Sequence, residues 1–97
     1  MVKRISIVAV CGCGLGSSLM GKMAIERIAA EYGLKAVIEV ADVGTASGYQ
    51  ADIFVTNKLL APRLQIKNAP LLVVDSFIDD VGLKNALAPY FEKFASE

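Results

Sequence analysis

Two cysteines stand at the head of one short glycine-rich stretch, Cys11-Gly12-Cys13-Gly14-Leu15-Gly16-Ser17-Ser18. Gly12, Gly14 and Gly16 let successive backbone N–H groups turn inward around one point. Such a concavity binds an anion. A helical pattern starts at about Ser17, and the free N–H groups of a helix N-terminus add roughly half a positive charge. The hydroxyls of Ser17 and Ser18 can donate as well. A cradle built from Gly12, Cys13, Gly14, Leu15, Gly16, Ser17 and Ser18 is therefore shaped for a phosphate, with the Cys11 thiol at its first position. The same field favours the thiolate, which in a free cysteine forms with a pKa of ~8.5. A thiolate in that place is a nucleophile for a phosphoryl group. The competing reading is that both cysteines are small apolar fillers of a tight turn. The combination of strand end, glycines, serines and helix start favours chemistry at Cys11, whereas Cys13 is read as filling a loop position.

Better-known motifs fit this stretch badly. A dinucleotide fingerprint would need glycine at Ser17 or Leu19. Gly16, Gly21 and Lys22 have the spacing of a nucleotide-binding loop, but Met23 follows where a magnesium-binding hydroxyl is required. A cysteine phosphatase would carry arginine six residues after the nucleophile, and Ser17 stands there. The chain has no histidine, which excludes Ser-His and Cys-His pairs and a phosphohistidine carrier. No zinc site is expected from two cysteines alone. Their close spacing cannot staple distant segments, so it fits a reducing compartment.

The elements around the stretch alternate between strand and helix patterns. Ile5 to Val10 is a short, β-branched, almost continuous apolar run, as in a strand buried on both faces of a parallel sheet. From about Ser17 to Tyr32, Gly21, Ala24, Ile25, Ile28 and Tyr32 share one helical face, and Lys22, Glu26, Arg27 and Glu31 the other. Gly33 follows as a helix-ending glycine. Further strands are expected at Ala36–Val40, Asp52–Thr56 and Pro70–Val74. Asn57 should cap a short helix from Lys58, in which Pro62 is an awkward residue. Asp79 or Asp80 should cap a last helix with Leu83, Leu87, Phe91 and Phe94 on one stripe, kinked or divided at Pro89. This order predicts an α/β fold: an open, four-stranded, mainly parallel sheet in the order 2-1-3-4, helices on both faces, and the phosphate-binding loop after the first strand. Ligands of such sheets bind beyond the carboxyl ends of the strands. Asp42, Asn57, Asp75 and Ser76 should lie near those ends, where each is read as a turn or cap residue.

With 97 residues, 55% of them hydrophobic, the chain is long enough for one domain spanning 1–97. Ten basic residues balance ten acidic ones, so no nucleic-acid partner is expected. No run approaches the ~20 apolar residues of a membrane span.

The stretch Cys-Gly-x-Gly-x-Gly-Ser-Ser, with Lys22 and Met23 further on, resembles the enzyme IIB subunits of the bacterial sugar phosphotransferase system. Within them it is similar to the lactose/galactitol/ascorbate type, and most to ascorbate-specific members. The likeness covers the whole chain in length and element order, and its specific motif the first quarter. It implies that Cys11 receives a phosphoryl group from a IIA phosphohistidine and passes it to a carbohydrate held by a membrane IIC subunit. It implies a cytoplasmic protein that meets the membrane through IIC, and no cofactor. Members often carry another small or polar residue where this chain has Cys13. A small cysteine-dependent phosphatase, or a thiol module for metal or redox exchange, are the alternatives.

Overall fold

The computed structural model describes residues 3–10, 15–67, 69–75 and 80–96. Four strands, β1 (Lys3–Val10), β2 (Leu34–Ala41), β3 (Ile53–Asn57) and β4 (Leu71–Val74), form one parallel sheet in the order β2-β1-β3-β4. Two α-helices, α1 (Leu15–Glu31) and α2 (Asp80–Ser96), and two single-turn 3-10 helices, Ala46–Gly48 and Ala61–Arg63, complete the described elements. The expected α/β class, parallel sheet and strand order are all present.

Strand position follows from composition. β1 is apolar on both faces and takes a central place, with Ile7, Val8, Ala9 and Val10 all buried. β2 carries exposed Lys35 and Glu39 and lies at an edge. The register sets Ile7 beside both Ile38 and Ile53, and Val55 beside Ala9 and Leu72. Ile5, Ile7 and Ala9 of β1 thus join a core with Ala24, Ile25 and Ile28 of α1 and Leu83, Leu87 and Phe91 of α2. Each such fully buried aliphatic or aromatic side chain stabilises the fold by about 1.5–3 kcal/mol. Tyr32 meets Phe91 edge-on, with ring centroids 5.8 Å apart at 63°.

Both α-helices share that face. The other face, with Val8, Val10 and Phe54, is covered by Ala46, Tyr49, Leu64 and Ile66 from the two long connections. The reason is topological. The steps β1→β2 and β3→β4 run in opposite directions across the sheet, so crossovers of one hand lie on opposite faces. The first crossover is α1; the described residues of the second form a turn and the 3-10 helix at Ala61–Arg63.

Three local expectations are corrected. First, α1 begins at Leu15, two residues earlier than expected, and ends at Glu31, with Gly33 at φ 73° closing it. Second, the short helix after β3 is a turn and a 3-10 helix that holds Pro62. Asn57 accepts from the Leu60 N–H at 3.0 Å within that turn, but the 3-10 helix itself has no side-chain cap, and Pro62 cannot donate the bond that would extend it. Third, α2 runs through Pro89 without division. The carbonyl that Pro89 leaves unpaired belongs to Asn85, and both residues are exposed to water. Asp80 is the first residue of α2, and Asp79 lies outside the described residues.

Candidate active site

The carboxyl ends of all four strands face one edge, at Val10, Ala41, Asn57 and Val74. The chain leaves β1 toward β2 on one side, and β3 toward β4 on the other. The switch point therefore lies between β1 and β3, where open parallel sheets bind ligands. A hydrogen bond marks the place: Thr56, fully buried, donates its Oγ1–H to the carbonyl of Val10 at 3.1 Å. Asp52 fixes the other end of the same strand pair. Its carboxylate accepts from the Ser6 N–H, and its own N–H donates to the Ser6 carbonyl, both at 2.8 Å.

Cys11 follows Val10 directly in the chain. Cys11, Gly12, Cys13 and Gly14 lie outside the described residues. Leu15, Gly16, Ser17 and Ser18 form the first turn of α1, of which Leu15 and Gly16 were expected in the loop. An α-helix leaves its first four N–H groups without partners inside the helix. With the start at Leu15, those are the N–H groups of four of the expected phosphate-binding residues. The first turn carries no acidic residue to compete for an anion. Gly16, as a helical residue, needs no left-handed backbone; among the described residues only Gly33 has positive φ.

The other strand-end residues divide into two kinds. Asp42 accepts from the N–H and hydroxyl of Thr45 at 2.9 and 3.0 Å. It shapes the turn into Ala46–Gly48, as Asn57 shapes the turn after β3. Both are turn residues, as expected. Asp75 differs: its carboxylate holds the ammonium of Lys58 at 2.7 Å, with both side chains largely exposed. The lysine pKa is raised, first by this hydrogen bond and then by the carboxylate charge. Ser76 lies outside the described residues.

Sequence reasoning missed Thr56 and Lys58. Thr56 looked like one more β-branched strand residue, and Lys58 like the start of a helix. The only available signal was position, since each stands at or just past the carboxyl end of an apolar strand. A separate recess of about 180 Å³ opens between Tyr49, Phe54 and Lys67. It belongs to the second face of the sheet.

Two comparisons bear on this site. The family described as "PTS system, Lactose/Cellobiose specific IIB subunit" matches residues 6–89. The chain is also 30% identical over 89 residues to the "Ascorbate-specific PTS system EIIB component" of Mycoplasma pneumoniae, covering 89% of this chain and 94% of that relative.

Proposed function

Since this chain belongs to the family of lactose/cellobiose-specific IIB subunits, phosphotransferases of sugar transport, we propose that Cys11 is the residue that carries its phosphoryl group. One observation supports this above the others. Cys11 follows the end of β1 at the topological switch point, and four residues later α1 begins, whose first N–H groups have no partner inside the helix.

The donor in this reading is a phosphohistidine of a IIA protein. The Cys11 thiolate attacks phosphorus, an S–P bond forms, and the N–P bond breaks. The proton that left the thiol is balanced by the one taken up on the donor imidazole. The N–H groups of Gly12 to Ser18 hold the phosphoryl oxygens. The step then repeats toward a sugar hydroxyl held by a membrane IIC subunit: an O–P bond to the sugar forms as S–P breaks, and the proton lost by the hydroxyl is balanced by the one the released Cys11 thiolate takes up. The name of the Mycoplasma relative makes ascorbate the first carbohydrate to test. No helix among the described residues is long and apolar enough to cross a membrane. In this reading the chain is one domain, acts in the cytoplasm and reaches the membrane through IIC.

The test is incubation with phosphoenolpyruvate, the general phosphotransferase proteins and candidate IIA subunits, followed by mass spectrometry of the peptide that holds Cys11. One phosphoryl group should appear on Cys11, vanish in Cys11→Ser and persist in Cys13→Ser. Full incorporation into Cys11→Ser would sink the assignment. Steady release of inorganic phosphate would turn it toward a phosphatase, against the absence of an arginine at Ser17.

A further inference from the structure

β2 pairs with β1 and, among the described residues, with no other strand, so one edge of an eight-residue strand is open. The groups on that edge follow from the hydrogen bonds of β1. Ser6 turns its backbone to the β3 side, where its carbonyl accepts from the Asp52 N–H, so the odd-numbered residues of β1 serve β2. Ile5 lies opposite Ala36 and therefore bonds to Lys35 and Val37. Leu34, Ala36, Ile38 and Val40 are left with their N–H and C=O groups facing outward, a template for another strand. The side chains of Lys35, Val37 and Glu39 stand on the same sheet face as Val8, the register partner of Glu39. All three are exposed, Val37 to 44%.

We propose that this edge pairs with the same edge of a second copy of the chain, antiparallel about a two-fold axis at Val37, so that two four-stranded sheets become one. The sequence of β2 is self-complementary in that register. Val37 faces Val37 of the second copy, Lys35 faces its Glu39, and Glu39 faces its Lys35; on the other side of the sheet Leu34 faces Val40 and Ala36 faces Ile38. Because the even-numbered residues carry the outward hydrogen bonds, the charged pairs and the valine pair are of the non-hydrogen-bonded kind, in which side chains come closest. Neighbouring registers lose the match. An axis at Ala36 or Ile38 sets Lys35 or Glu39 against Val37, and an axis at Lys35 or Glu39 sets like charges against each other. Charged residues on an edge guard it against stray pairing; here the same two residues admit one register. The helix above agrees. Glu31 points toward α2, whose Lys84 it bridges, and helical spacing puts Lys22 and Glu26 on the opposite flank of α1, toward the open edge. The flank that meets its copy is therefore charge-balanced as well. The axis stands perpendicular to the sheet, so the carboxyl edges of the two copies point in opposite directions and both stay open.

The test is the mass of the full chain in solution, by sedimentation equilibrium from ~1 μM to ~1 mM. It should move from 10.3 kDa toward twice that value. Lys35→Glu places two like-charged pairs in the interface and should weaken the dimer about ten- to hundredfold. Glu39→Lys should do the same. The double variant Lys35→Glu/Glu39→Lys should return to near the wild-type constant, a rescue that damage to the fold cannot imitate. Thermal melts serve as the folding control. Amide hydrogen exchange locates the interface: the N–H groups of Ala36 and Ile38 should exchange more slowly as concentration rises, and that of Val37, already bonded to β1, should change far less. A mass of 10.3 kDa at every concentration overturns the proposal. So does a dimer as tight in Lys35→Glu as in wild type, a double variant no better than the single ones, or a dimer in which exchange at Ala36 and Ile38 ignores concentration.

Discussion

Replacing Thr56 by valine tests whether the sheet itself aims Cys11. The side chain is 0% exposed and its hydroxyl donates to the Val10 carbonyl at 3.1 Å. That carbonyl shares a rigid peptide plane with the amide nitrogen of Cys11. Valine keeps the shape but removes the donor. Leaving a buried acceptor short of a partner costs about 1–3 kcal/mol. We expect about 1–2 kcal/mol here, because a carbonyl has a second lone pair that the sheet can still use. In a domain of this size that lowers the melting temperature by roughly 5–15 °C. Thr56→Ser keeps the hydroxyl and loses one methyl, at about 1 kcal/mol. The two variants should thus be similarly stable but differ in function. Well below both melting temperatures, Thr56→Val should take up phosphoryl groups on Cys11 more slowly than wild type, and Thr56→Ser at nearly the normal rate. The readout is the time course of Cys11 phosphorylation by mass spectrometry, beside calorimetric melts. Equal uptake by both variants, or a Thr56→Val protein as stable as wild type, would refute the reasoning.

Iodoacetamide should label Cys11 faster than Cys13 at neutral pH, and sulfate should slow the first reaction; equal, slow, anion-insensitive labelling would mean that both thiols are inert packing groups. Gly33→Ala should lose about 1–2 kcal/mol from backbone strain at φ 73°, since an added Cβ meets nothing within 4 Å. Gly33→Asn should lose less in the same urea titration, and equal losses would remove the explanation. Phe91→Ala deletes a side chain that is 0% exposed and touches Tyr32 edge-on. It should lose about 3–5 kcal/mol, a large part of the ~5–15 kcal/mol that holds a typical domain together; a shift of the urea midpoint worth under about 1 kcal/mol would contradict the packing described.

What was legible in the sequence is what neighbours a few residues apart encode. The apolar run of β1 announced a central strand because both faces of such a strand must be dry. The three- and four-residue spacing of Ala24, Ile25 and Ile28 announced the buried face of α1, and Gly33 its end. The strand order followed from alternation of strands and helices and from the handedness of crossovers. The glycines and serines after Val10 pointed to an anion cradle, because backbone N–H groups and a helix start are local features. The limits of α1, the 3-10 helix around Pro62 and the passage of α2 through Pro89 were not legible. Propensity leaves such cases open, and tertiary packing and solvent access close them. The contacts of Thr56 with Val10 and of Lys58 with Asp75 were further out of reach. Thr56 and Val10 are 46 positions apart in sequence, and no local pattern couples them. They meet because parallel pairing stacks the carboxyl ends of β1, β3 and β4 along one edge. Local chemistry thus pointed to Cys11, while the sheet alone chose the buried hydroxyl that meets the last carbonyl of β1 and the exposed ion pair just past β3 and β4.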